Sequence, residues 1–171
     1  MVGVVTGDRG TSRLKGVLQP MRQMRRIAAK ATLLFVAALL AAGPVYAHAH
    51  LEQSTPAADA VVASAPASVL LKFTEPVELG FSTFKVYPLP AGSDAESLKD
   101  AAAKLVDEVL GARGDEEARA DAGVAGGSGT AAQVEIRLKE GLEPGAYVVM
   151  WRVLSVDSHT TRGHFIFHYQ P

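Results

Sequence analysis

The chain has 171 residues, 17 Lys+Arg against 18 Asp+Glu, and no cysteine. That length suits one ordinary domain with a leader. Missing thiols exclude disulfide staples, zinc ribbons and blue-copper centres. The charge is unevenly split: residues 1–47 hold seven of the 17 basic side chains and one of the 18 acidic ones. The remainder has ten basic and 17 acidic residues, a net charge of −7 with His neutral. An acidic domain without a basic cluster argues against nucleic acid and suits a cation ligand.

The leader comes first. Arg22, Arg25, Arg26 and Lys30 form a basic region ahead of residues 31–42 (ATLLFVAALLAA), an apolar run of 12. A membrane-crossing helix needs about 20 apolar residues, so the run reads as the core of a signal peptide. Gly43-Pro44 breaks it, and Val45-Tyr46-Ala47 is an A-x-A-like cleavage site. The expectation is a signal peptide over 1–47 and a mature domain over 48–171 that begins at His48. A cut after Ala49 is the competing site. Arg25-Arg26 faintly resembles a twin-arginine export signal. The predicted location is the periplasm or cell exterior.

Beyond the leader the pattern is mostly β. Residues 69–74 (VLLKFT) are a short apolar run ended by Glu75-Pro76, and residues 81–87 (FSTFKVY) are rich in aromatic and β-branched side chains. Residues 93–132 break the pattern and are predicted to be an insertion. Within it, Leu98, Ala102, Leu105 and Val109 recur at helical spacing across 95–110, and 111–132 reads as a mobile Gly/Ala/Asp-rich loop. Its acidic run Asp115-Glu116-Glu117 reads as solvated. Residues 133–138 alternate cleanly, with Val134, Ile136 and Leu138 on one face. Glu143-Pro144-Gly145 marks a turn. Residues 146–156 (AYVVMWRVLSV) are apolar on both faces, and residues 163–169 close the series. Short strands between Pro and Gly turns predict an antiparallel sandwich. Tyr147, Met150 and Trp151 are core candidates, and Arg152 a surface residue.

The candidate chemistry lies at two distant places. Cleavage after Ala47 would put an α-amino group and an imidazole on one residue, His48. Asp157-Ser158-His159 supplies a carboxylate and an imidazole two residues apart, which share a face on an extended segment. Amine and imidazole have ordinary pKa values of about 7.7–8.0 and 6.5, so both yield their protons to a metal near neutral pH. Three nitrogens and one oxygen form a tetragonal set that favours Cu(II) over Zn(II). His50 is a weaker ligand candidate, and Glu75 a candidate ligand or orienting group. His164 and His168 read as strand histidines.

His48-Ala49-His50-Leu51, Ser54-Thr55-Pro56-Ala57, Phe73-Thr74-Glu75-Pro76-Val77, the run from Trp151 to His159 and Gly163-His164-Phe165-Ile166-Phe167 together resemble the CopC family of periplasmic copper-binding, copper-resistance proteins. The resemblance implies a Greek-key, immunoglobulin-like β-sandwich or barrel of about seven strands. It also implies one Cu(II) per chain on His48, Asp157 and His159, and a CopD-like membrane protein as partner to a monomer. The family's usual Asp-Gly-His-Pro is here Asp157-Ser158-His159-Thr160, which alters the turn and keeps the ligands. The chain lacks the Met-rich segment of members with a Cu(I) site. It ends without a further membrane span, so the partner is expected to be a separate chain. Two other functions compete: a histidine-brace copper oxidase or monooxygenase, and a metal-free interaction sandwich. Asp157 as a direct ligand argues against the first, because it fills a position that oxygen would need.

Overall fold

The computed structural model describes Gly3, residues 48–92 and residues 94–171. The predicted signal peptide, Gly3 apart, lies outside the described residues. Among those described are eight strands and one α-helix. They run β1 (Leu51–Thr55), β2 (Val61–Val62), β3 (Ser68–Glu78), β4 (Thr83–Pro88), α1 (Ala95–Val109), β5 (Asp121–Val124), β6 (Thr130–Leu138), β7 (Gly145–Leu154) and β8 (Thr160–Tyr169).

Two four-stranded sheets form a sandwich, ordered β1-β3-β6-β5 and β2-β8-β7-β4. All pairings are antiparallel except the short β2–β8 pair, which is parallel. Alternation along β3, β6 and β7 turns Val69, Leu71, Phe73, Val134, Ile136, Val149, Trp151 and Val153 inward between the sheets. The double-sided apolarity of β7 has a simple cause. Its other face carries Val148 and Met150, which pack with Tyr87 and Ile166 under Leu98, Ala102 and Val106 of α1. The helix thus lies on the outer face of the second sheet and makes a third layer. Asp94 caps it, its carboxylate accepting from Glu96 N at 3.0 Å and Ser97 N at 2.9 Å.

The structure corrects the reading of 111–132 as a mobile loop. Residues 121–124 form the edge strand β5 against β6. The preceding residues are anchored on β4. Ala120 N donates to Val86 O at 2.7 Å, and the fully buried Asp121 accepts from Val86 N at 2.8 Å. Asp115 is a second correction: it is 15% exposed and ion-paired to the buried Lys85. The Lys85 ammonium also donates to Val109 O at 2.7 Å and Ala112 O at 2.9 Å, which satisfies carbonyls at the C-terminus of α1. Tyr87 donates its hydroxyl to Asp115 at 2.6 Å. Burial pushes the Asp115 carboxyl upward, but hydrogen bonds from Lys85 and Tyr87 and the Lys85 charge outweigh it and hold the group below the ordinary range. Burial and the Asp115 bond push the Tyr87 hydroxyl well above its usual value. Small Ala and Gly residues carry no strand signal, so this tertiary anchoring is invisible in the local pattern.

β3 differs from expectation too. It continues through Glu75-Pro76 to Glu78, with its register to β6 shifting between Lys72 and Val77. Pro76 sits in that irregularity, where its missing N–H interrupts no ladder bond.

Candidate metal centre

β7 and β8 are joined by residues 155–159, which form a tight turn. Ser155 N donates to His159 O at 2.9 Å, and Ser158 N donates to Ser155 O at 2.9 Å. Ser158 sits at φ 69°, in the left-handed region. A glycine there would adopt this φ without strain.

The turn orders both predicted groups. The Asp157 carboxylate accepts from the buried Ser155 hydroxyl and, at 3.1 Å, from His159 N. Its other oxygen lies 2.9 Å from His159 Nδ1. The Ser155 bond, helped by the His159 backbone N–H and ring, holds the Asp157 carboxyl down at about 2. With Nδ1 of His159 engaged by the Asp157 carboxylate, Nε2 is the ring nitrogen left open to a metal. A carboxylate offers about four lone-pair sites. Three are used within the turn, which leaves one on Oδ2.

His48 meets this turn from across the fold. Its ring centre is 4.4 Å from that of His159. A metal–nitrogen bond of about 2.0–2.1 Å puts an imidazole centre roughly 3.2 Å from the ion, so two at a right angle stand about 4.5 Å apart. The observed spacing fits that arrangement. His50 is exposed, with its ring centre 6.3 Å from His48. Glu75 is half-buried in the irregular part of β3. His168 is far away: nine residues along β8 from His159, it is about 30 Å distant at strand rise. His164 is exposed on the same strand. Among the described residues, no three His, Asp or Glu side chains converge as a ready-made metal cage. What stands ready is a pair of imidazoles, one of them braced by a carboxylate.

Three hydroxyls at the site were not singled out from the sequence. Ser155 braces Asp157. Thr74, on β3, accepts from His50 N at 3.0 Å and donates to His48 O at 3.4 Å. Thr161, on β8, donates to Ala49 O at 2.7 Å. The only signal for them was proximity in sequence to the candidate ligands and to Glu75.

Fold and site together define a class: a helix-backed β-sandwich that brings the ring of His48 against an Asp-x-His turn between its last two strands. The family model of the CopC domain matches residues 51–108 and 95–170. Protein YobA of Escherichia coli K12 is 37% identical over 123 residues, 72% of this chain and 79% of YobA. Protein YobA of Shigella flexneri matches equally. A solved structure of PcoC, a methionine-rich copper resistance protein from E. coli, is 28% identical with a TM-score of 0.50, covering 72% of this chain and all of PcoC. The chain belongs to the CopC family.

Proposed function

We propose that this chain is an exported copper carrier that holds one Cu(II) ion through the amine and ring of His48, the ring of His159 and Asp157. Membership of the CopC family and likeness to a copper resistance protein support a copper-related function. The observation that carries the finer reading is the facing pair His48 and His159, with Asp157 on Nδ1 of His159. His159 would bind through Nε2, His48 through its freed amine and ring, and Asp157 through its remaining lone pair. His50 and Glu75 are the reserve donors.

The oxidation state follows from donor chemistry. Soft thioethers suit Cu(I), and nitrogen with oxygen suits Cu(II). PcoC is methionine-rich, whereas past residue 47 this chain has a single methionine, the buried Met150. A carboxylate that fills a coordination position fits holding the ion better than activating oxygen, so the role is not enzymatic. The location is the periplasm or cell exterior. The monomer would exchange copper with a CopD-like membrane protein.

The test is Cu(II) titration of protein that starts at His48, with the N-terminus read by intact mass and the site by electron paramagnetic resonance. One equivalent in a tetragonal, nitrogen-rich site is expected. His48→Ala, His159→Ala, or extra residues ahead of His48 should each abolish tight binding, while His168→Ala leaves it intact. Absence of binding in a chain starting at His48, or equal losses for all three substitutions, overturns the reading.

A further inference from the structure

We infer that Thr74 and Thr161 are positioning residues that latch the segment His48–His50 across both sheets. The inference rests on the copper reading only for its consequence in affinity.

The first residue of a domain ordinarily frays, because few contacts oppose its conformational entropy. A site that uses both the amine and the ring of a terminal residue needs that freedom removed beforehand. Residues 48–50 precede β1, yet their backbone is tied down at four points. His50 O accepts from Thr74 N at 2.9 Å, and His50 N donates to the Thr74 hydroxyl at 3.0 Å. That hydroxyl spends its one proton on His48 O at 3.4 Å, and the Thr161 hydroxyl spends its own on Ala49 O at 2.7 Å. Thr74 belongs to one sheet and Thr161 to the other, so the segment is fastened to both.

Between the two histidines, Ala49 is 1% exposed and packs into the inter-sheet core. With Ala49 inward, the rings of His48 and His50 stay in solvent, where the His48 ring meets His159. Thr161 also ties the segment to the strand that starts directly after His159. Movement of the terminal arm relative to the Asp-x-His turn is therefore opposed by Thr161 directly and by Thr74 through β3, whose Pro76 carbonyl accepts from Val156 N of that turn at 3.3 Å. A hydroxyl is what each place requires: valine has the same shape and neither donates nor accepts, while serine keeps both abilities.

The experiment compares Thr74→Val, Thr161→Val, Thr74→Ser and Thr161→Ser in protein starting at His48. One readout is metal-free: ¹⁵N relaxation and amide exchange at Ala49 and His50. The other is Cu(II) affinity by competition with a chelator, with the resonance spectrum recorded on copper-loaded protein. Each valine variant should raise mobility at 49–50 and weaken Cu(II) binding about ten- to a hundredfold, as loss of groups supporting a metal ligand does. The melting temperature of the domain should stay close to that of the parent. The spectrum at saturation should keep its form, and serine should restore both readouts. Unchanged mobility in both valine variants overturns the latch, as does a loss that serine fails to rescue. If the parent itself binds no copper, the functional reading falls, and the mobility data still decide the latch.

Discussion

Substituting Lys85→Met tests whether residues 111–120 are a built part of the domain. Lys85 is 2% exposed, and its ammonium serves Asp115, Val109 O and Ala112 O together. Methionine keeps the length and apolar stem but removes all three bonds. Asp115 would retain the Tyr87 hydroxyl and an Arg119 guanidinium nitrogen at 3.8 Å, while its Oδ1 has no hydrogen-bond partner among the described residues. Removing one member of a buried ion pair costs about 3–5 kcal/mol. The remaining Tyr87 and Arg119 neighbours place this case near the lower end, about 3 kcal/mol. For a domain of this size that corresponds to a fall in melting temperature on the order of 10 °C. The assay is urea and thermal unfolding of metal-free protein at pH 7, followed by circular dichroism. Adding Asp115→Asn removes the stranded charge and should recover much of the loss. A change below about 0.5 kcal/mol for Lys85→Met, the size of an ordinary surface substitution, would refute the argument. The segment would then be the solvated loop that its composition suggests.

Two further outcomes are expected. Gly163→Ala would build a Cβ 2.5 Å from Trp151 Cζ2 and 2.9 Å from Cε2, directly across the β7–β8 ladder. Trp151 is wedged between Phe73 and Phe165, so the overpacking should cost about 1–3 kcal/mol and shift the emission of the single tryptophan; unchanged stability would show that the ring can move aside. For pH, the folded Asp115 carboxyl lies below its ordinary value, so the unfolded chain binds the proton more readily. Its contribution is present above the ordinary value of 3.8 and is lost as pH falls below it. Acid unfolding of the Lys85→Met/Asp115→Asn variant should therefore depend less on pH below about 4 than that of the parent, and parallel curves would contradict this.

The strands with β-branched or alternating residues were legible in sequence. Residues 133–138 and 146–156 fall within or close to β6 and β7, because burial of an alternating face is a local signal. The helix was equally plain, since Leu98 and Ala102 recur at its period and both are buried. β5 was not legible: Asp-Ala-Gly-Val has no strand preference and pairs because Ala120 and Asp121 are fixed to Val86. Nor was the burial of Asp115, whose partner Lys85 is 30 residues away. At the rim, residue types and their spacing singled out His48, Asp157 and His159. That His48 and His159 face each other depends on contacts more than 100 residues apart, and local pattern says nothing of those. The hydroxyls of Thr74, Ser155 and Thr161 were passed over because a threonine or serine beside a histidine carries no distinctive signature.

The anchoring of residues 120–121 on Val86 has a consequence for the protein among its own copies. β4 is the last strand of its sheet, and such a strand ordinarily presents a row of free donors and acceptors that another chain can extend. Here Val86 gives its N–H to a carboxylate and its carbonyl to a neighbouring amide, both from within the same molecule. That template is already occupied. The second sheet's opposite border is the two-residue β2; the first sheet's borders are the five-residue β1 and the four-residue β5, the register of each interrupted by a shift. None of these is long and regular enough to seed growth, so residues 120–121, by covering Val86, help to keep the β-sandwich from building sheets with its own copies.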